Sequence, residues 1–396
     1  MRSARNCSET LLLDNGDVNK GYGRQSELKY ETAMKAMAEM GYAASNVGEQ
    51  DLVLGLDYVK YVADFTKAPL VSANIIDAAD GQPVFQQFIQ QQMRAGDRIA
   101  SVSVIGIISP EFKDKVEEVN PNLTIAEYDS TLEQLIGQLR NESDLLILLA
   151  HMSEEEASAL ASRFPQFDLV IAAHSGDDPL IAPVKTGDVP IVFAGVHGMH
   201  VGKATFEIAS KGPRLKSYST EKLDGTFSDS SRMLALLDDY QQMLKAENLL
   251  ETYPRNEYGD VKFTGDKGCK RCHSLSTLRY NMEKHAHAFD SIAKRKHEYD
   301  PECVRCHTVG FGYVGGFMTP DKTPDMKNVG CEDCHGPGSK HVENPAENKY
   351  EKVKKEACEA CHNPENSPKF KYEEYVKKIN HNSVFPCSAK VCHWFK

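Results

Sequence analysis

The chain has 396 residues, room for two or three domains. It is 41% hydrophobic with a mean hydropathy of −0.46, and no apolar run approaches the roughly 18 residues of a membrane span, which excludes a spanning helix. The net charge is −11 with no basic stripe, which argues against nucleic-acid binding.

From the N-terminus, Met1-Arg-Ser-Ala-Arg-Asn-Cys7 contains no apolar core of a secretion signal, and Leu11–Leu13 is too short to be one. Over the first 220 residues short apolar runs alternate with amphipathic stretches. Strands are expected at Leu11–Leu13, Ala43–Val47, Leu70–Ile75, Ile99–Ile107, Leu145–Ala150, Leu169–Ala172, Ile191–Ala194 and Ala204–Ile208. Helices are expected at Glu27–Met40, Asp57–Phe65, Thr131–Arg140 and Glu154–Phe164. In Thr131–Arg140, Leu132, Leu135, Ile136 and Leu139 keep the 3.6-residue period of a helix with one apolar face. Strands alternating with helices predict an α/β layered sandwich.

Several of these strands end in polar residues of metal-binding type: Asp14-Asn-Gly-Asp17, Asn46-Val-Gly-Glu49-Gln50-Asp51, His151 and His174-Ser-Gly176. Their order resembles the metallophosphoesterase domain of 5′-nucleotidases and UDP-sugar hydrolases over roughly residues 9–210, including the later turn Ala194-Gly-Val-His197-Gly-Met-His200-Val-Gly202. The resemblance implies a site for two divalent metals, in which a metal-bound hydroxide attacks phosphorus. Asp17 matches the Asp of the family's G-D motif, His151 the His of its G-H motif and His174 the first His of G-H-x-H. Gly176 stands where the second His belongs, Glu49 and Gln50 replace the Asn and His of G-N-H, and the opening D-x-H motif has no counterpart. On this comparison the metal site is degenerate and hydrolysis is not expected. Two alternatives remain open for His151 and His174: strand-end residues satisfied by backbone hydrogen bonds, or ligands of a repurposed site.

Ser228–Tyr253 carries an apolar stripe and predicts a helical linker, followed by the breaker at Pro254. The expected domains are therefore 1–220, a linker at 221–255, and 256–396. The last segment holds 23 of the 46 basic and 20 of the 57 acidic residues, so the acidity lies in the first 255. That acidic surface is either simply solvated or favours basic redox partners.

Ten of the 11 cysteines lie at or after position 269. Cys269-x-x-Cys272-His273, Cys303-x-x-Cys306-His307, Cys331-x-x-Cys334-His335 and Cys358-x-x-Cys361-His362 all spell C-x-x-C-H. This is the covalent attachment site of haem c: two thiols form thioethers, and the adjacent His takes an axial position on iron. Cys387-x4-Cys392-His393 is a fifth attachment site with a longer loop, or a disulfide beside a free His. The predicted cofactor set is four or five haems c. So few core-forming residues in about 140 positions imply that the haems themselves supply the core of a mainly helical, loop-rich domain.

Cys269–His381 resembles the tetrahaem cytochrome c-554 family. The matching words are Lys284-His285-Ala-His287-Ala288, Cys303-Val-Arg-Cys306-His307-Thr-Val-Gly310, Val329-Gly-Cys331-Glu-Asp-Cys334-His335-Gly-Pro-Gly338-Ser-Lys-His341 and Lys378-Ile-Asn-His381. The resemblance implies that His285, His341 and His381, with His287 as a further candidate, are distal ligands opposite the proximal His273, His307, His335, His362 and His393. Bis-His irons have low potentials, because Met is the ligand that raises them.

The expected function is electron transfer to or from redox partner proteins, either other cytochromes or quinol-linked complexes. Haem c is attached outside the cytoplasm, so the expected location is periplasmic, extracellular or membrane-associated, with the signal removed or lying upstream of Met1. Two alternatives stay open. One is a haem enzyme acting on a small nitrogen or sulfur compound at an open axial position. The other is a metal-dependent phosphatase or thiohydrolase coupled to the haems.

Overall fold

The computed structural model describes residues 10–209, 212–350 and 353–379. The chain divides into two compact units, Met1–Leu236 and Leu237–Lys396.

The first unit runs β1 (Leu12–Asp14), α1 (Arg24–Met40), β2 (Tyr42–Asn46), α2 (Leu56–Thr66), β3 (Leu70–Val71), β4 (Ile75–Asp77), β5 (Phe88–Ala95), β6 (Arg98–Ile108), α3 (Lys113–Val119), β7 (Leu123–Ile125), α4 (Asp129–Leu139), β8 (Leu145–His151), α5 (Glu154–Arg163), β9 (Leu169–Ile171), β10 (Val184–Thr186), β11 (Val189–Val192), β12 (His200–Ala209) and β13 (Gly212–Lys222). One sheet has the order β1-β2-β3, all parallel. A second has the order β10-β11-β9-β8-β6-β5, parallel at its centre with antiparallel edges, and β12-β13 and β4-β7 form two further two-stranded antiparallel sheets.

The alternation along β8 explains the layering. Leu146, Leu148 and Ala150 face a cluster with Leu132, Leu135, Leu139, Leu160 and Ala161 of α4 and α5. Leu145, Ile147 and Leu149 face Ala44 and Val71 of the other sheet. That sheet is covered in turn by Tyr30, Met34, Val59 and Val62 of α1 and α2. The result is helices, sheet, sheet, helices. Burial on both faces is why Leu145–Ala150 reads as an unbroken apolar run.

The structure differs from the sequence expectation at β10 and β13, which lie outside the expected strands, at Ser228–Tyr253, which forms two helices rather than one, and in three further features. The run Leu70–Ile75 is two strands in different sheets, because Asn74 turns inward between them and donates to the carbonyls of Ile108 and Ala126. β5 has no apolar signature, since it is a Gln-rich edge strand held by its ladder with β6. β7 and α3 each bury too few side chains to leave a periodic mark.

α6 (Ser231–Ala246) crosses the division between the units. The second unit continues with α7 (Leu249–Thr252), α8 (Asp266–Lys270), α9 (Ser274–Tyr280), α10 (Ala288–Ala293), α11 (Pro301–His307), α12 (Cys331–His335), α13 (Ser339–Glu343), α14 (Lys355–Glu359) and α15 (Tyr372–Tyr375), with no strand longer than an isolated bridge among the described residues. Its apolar cluster is small: Leu250, Phe289, Ile292, Val304, Phe311 and Phe317. Polar staples supplement it. The Glu332 carboxylate, 3% exposed, accepts from the backbone N–H groups of Thr264, Gly265 and Gly338. Among the described residues no helix is long and apolar enough to cross a membrane.

Candidate metal centre and haem-attachment sites

In the first unit the loops following β1, β2, β8 and β9 meet at the carboxyl ends of parallel strands, where open α/β sheets form crevices. They bring together Asp17, Glu49, His151 and His174, whose donor atoms all lie within 4.8 Å of one another. His151 Nε2 is 2.9 Å from Glu49 Oε2, 2.9 Å from His174 Nε2 and 3.5 Å from Asp17 Oδ2. His174 Nε2 is 3.6 Å from both carboxylates. His151 and Glu49 are buried, whereas His174 is 37% exposed and opens the cluster to solvent.

The backbone is built for this convergence. Asp17 adopts a left-handed conformation with φ 57°, which Asp tolerates better than most residues. Gly48 passes so close to Asp17 and His151 that a Cβ there would collide with both side chains. Asp51 is buried and staples the loops together by accepting from the amides of Asp17, Asn19 and Gly48. Asn15 and Asn46 tie the two sheets: Asn46 Nδ2 donates to the carbonyls of Ile107 and Leu149, and Asn15 Nδ2 to those of Ala150 and Ile171. The Phe112 ring stands against His174, with centroids 4.9 Å apart.

The donor set fits a metal ion. His151 Nδ1 lies 2.5 Å from the Asn15 carbonyl oxygen, which can only accept, so Nδ1 carries the proton. Nε2 then presents its lone pair to two carboxylate oxygens and a second imidazole, an arrangement that calls for a cation. Without a metal, a proton serves. Burial opposes charge on His151, but hydrogen bonds to Asp17 and Glu49 outweigh it and raise the imidazole to about 10. Burial likewise opposes charge on Glu49, yet the hydrogen bonds from His151 and His174 hold its carboxyl well below the usual range.

Sequence comparison records Glu49 as a replacement of the family's Asn and places the degeneracy at Gln50 and Gly176; in the structure the Glu49 carboxylate, in the loop after β2, joins the cluster and adds a charge. The metal-compatible chemistry of Glu was the available signal. Gln50 turns its amide onto Glu49 Oε1 at 3.1 Å instead of facing the cluster. His197 and His200 are not members of the cluster.

In the second unit the C-x-x-C spacing falls on single helical turns, so the two thiols of a motif share one side. His273 N–H and His362 N–H bond to the carbonyls of Cys269 and Cys358, carrying the turn through the histidine. No disulfide engages Cys269, Cys272, Cys303, Cys306, Cys331, Cys334, Cys358 or Cys361.

Distant histidines face each other in pairs. The rings of His273 and His341 are 6.2 Å apart, and those of His285 and His362 are 6.0 Å apart. Two imidazoles on opposite faces of one metal, with metal–nitrogen bonds of about 2 Å, have centroids about 6 Å apart, the separation of these pairs. A ring nitrogen of three of the candidate ligands is held by a neighbouring group. Nδ1 of His307 is 2.7 Å from the Ala288 carbonyl oxygen, Nδ1 of His341 is 2.7 Å from that of Asn348, and Nδ1 of His362 is 2.9 Å from Ser367 Oγ. His335 packs on Tyr350. His287 differs, because its Nε2 lies 3.0 Å from the Asn281 carbonyl oxygen and its Nδ1 3.7 Å from Asp290. His381, Cys387, Cys392 and His393 lie outside the described residues. The pairing partners, 68 and 77 residues apart in the chain, carry no local sequence signal.

Comparison with known proteins gives the same two-part division. Residues 268–336 match the family model of cytochrome c554 and c-prime, a family whose cofactor is haem c. The chain is 37% identical to cytochrome c-554 of Nitrosomonas europaea over 94 residues, 20% of this chain and 40% of that protein. It is 25% identical to the 2′,3′-cyclic-nucleotide 2′-phosphodiesterase/3′-nucleotidase of Salmonella typhimurium over 241 residues, 51% of this chain and 37% of that protein. It therefore spans well under half the length of either relative. The calcineurin-like phosphoesterase YfkN from Bacillus subtilis shares the fold, with a TM-score of 0.52 and 16% identity over 61% of this chain and 86% of its own. The chain thus joins a metallophosphoesterase-like α/β unit to a helical, cytochrome c554-like unit.

Proposed function

We propose that this chain is an extracytoplasmic multihaem electron carrier whose first unit keeps a phosphoesterase fold for docking or sensing rather than for hydrolysis. The observation that carries the proposal is the pairing of His273 with His341 and of His285 with His362 at the spacing of axial ligands. In this assignment the four C-x-x-C-H motifs each anchor a haem, with His273, His307, His335 and His362 proximal and His341 and His285 distal to the first and fourth motifs. Cys387, Cys392 and His393 are assigned to a fifth, and His381 to a further distal position. The bound haem iron supplies one-electron chemistry by cycling between its ferric and ferrous states. His273 with His341 and His362 with His285 would hold those irons by imidazole nitrogen, a ligand type that favours low potentials.

The non-hydrolytic assignment of the first unit rests on Gln50 and Gly176. With both cluster imidazoles turned to the carboxylates, none is left over to act as acid toward a leaving group. Intact mass and a spectroelectrochemical titration of the purified full chain test the proposal. Five haem additions and reversible, multi-step reduction at low potential are expected, with no turnover of nucleotide esters in the presence of manganese. Fewer than four haems, or irons that do not reduce reversibly, would refute it.

A further inference from the structure

We propose that residues 270–284 of the second unit form a docking surface through which the haem anchored by the first motif exchanges electrons with a small acidic redox protein. The inference rests on the haem reading of that unit.

Three observations meet on this segment. The first is the exposure of an attachment edge. Among the eight described motif cysteines only Cys272 is exposed, and the other seven are half-buried. A thioether sulfur is bonded to the porphyrin periphery, so an exposed Cys272 places the edge of its haem at the surface. The second is an uncovered apolar face. α9 turns Thr277, 6% exposed, toward its own unit. Leu275, Leu278 and Met282, at i, i+3 and i+7, lie on the opposite side and are 56%, 65% and 83% exposed. Contiguous exposed side chains of this size mark contact sites.

The third observation is charge. Lys267, Lys270, Arg271, Arg279 and Lys284 fall within or beside this stretch, against one acid, Glu283. Lys267 is paired with Asp325, whereas no carboxylate among the described residues pairs with Lys270, Arg271, Arg279 or Lys284. Arg271 and Arg279 stand four residues before and after Leu275, one helical turn to either side of it. The whole chain carries a net charge of −11, so this positive surface is local.

An electron-transfer complex needs a small contact that forms quickly and releases quickly. Unpaired cations steer an acidic protein in, and an apolar centre beside the haem edge excludes water where the two meet. An anionic lipid surface matches the charge but carries no redox group, and three apolar side chains along a seven-residue helix bury little in a bilayer. A protein is therefore the occupant that this surface fits.

The test follows reduction of the haem-loaded full chain by two probes. One is flavodoxin hydroquinone, a small acidic flavoprotein. The other is neutral lumiflavin semiquinone, which is too small to need a docking surface. Reduction by flavodoxin should slow steeply as salt rises, and Lys270→Glu with Arg271→Glu should slow it on the order of tenfold at low salt. The same charge change at exposed Lys369 and Lys371, outside the segment, should have little effect. Leu278→Ser with Met282→Ser is an independent variant outside the attachment motif and should also slow flavodoxin. All variants should keep the parent's haem count and its rate with lumiflavin. Carbodiimide should cross-link flavodoxin carboxylates to Lys270 or Lys284. Equal slowing by both charge reversals, no salt dependence, cross-links confined to other lysines, or charge reversal that abolishes binding to phosphatidylglycerol vesicles while leaving flavodoxin unaffected would each overturn the proposal. Irons that neither probe reduces would instead refute the haem reading.

Discussion

The two units solve the problem of making a core in different ways. The first buries three apolar clusters between and outside two sheets, and its polar site sits on the rim of a scaffold that is complete without it. The second has an apolar cluster of six buried residues, short helices and a carboxylate stapled to backbone amides. In the first the fold positions the ligands. In the second, the proposed haems would complete the core, as metals do in small metallo-domains.

Production in a host that does not attach haem should break this symmetry most sharply. The second unit is expected to lose its helical structure and become protease-sensitive while the first stays resistant, as limited proteolysis with mass mapping would show. Equal protection of both units would mean that the polypeptide alone folds the second.

Glu332→Ala probes the polypeptide's own contribution there. It strands three backbone N–H groups and should cost about 3–5 kcal/mol, read as earlier chemical unfolding of the haem absorbance. Leu148→Ala is the counterpart in the first unit. A cavity between β8 and the helices should cost about 2–5 kcal/mol in the first unit's transition with the haem spectrum unmoved. The smallest effect is expected at the start of α5, where Ser153 Oγ accepts from Glu156 N–H. Ser153→Ala should cost about 1 kcal/mol in the same transition.

The difference between the units also explains what their sequence disclosed. Periodicity reports burial, so α4 and β8, each with a full apolar face, are legible, whereas the polar edge strand β5 is not. The split at Ser72–Asn74 is invisible because its cause, an Asn74 side chain bonded to carbonyls of other segments, is tertiary. In the second unit the chemistry is local and legible: each C-x-x-C-H word contains its own geometry. Which distant histidine completes each pair is a property of the folded chain. Glu49 shows the complementary failure. Comparison by residue identity records only that it replaces an Asn, whereas the loop after β2 delivers its carboxylate to the cluster.

The central claim is that paired histidines complete the irons on which the second unit is built. The most direct test is low-temperature electron paramagnetic resonance of the oxidised full chain beside its His341→Ala and His285→Ala variants. The account predicts that each variant converts one low-spin iron to high spin, a different one in each case, with the total haem count unchanged. Spectra identical to the parent's in both variants would contradict it.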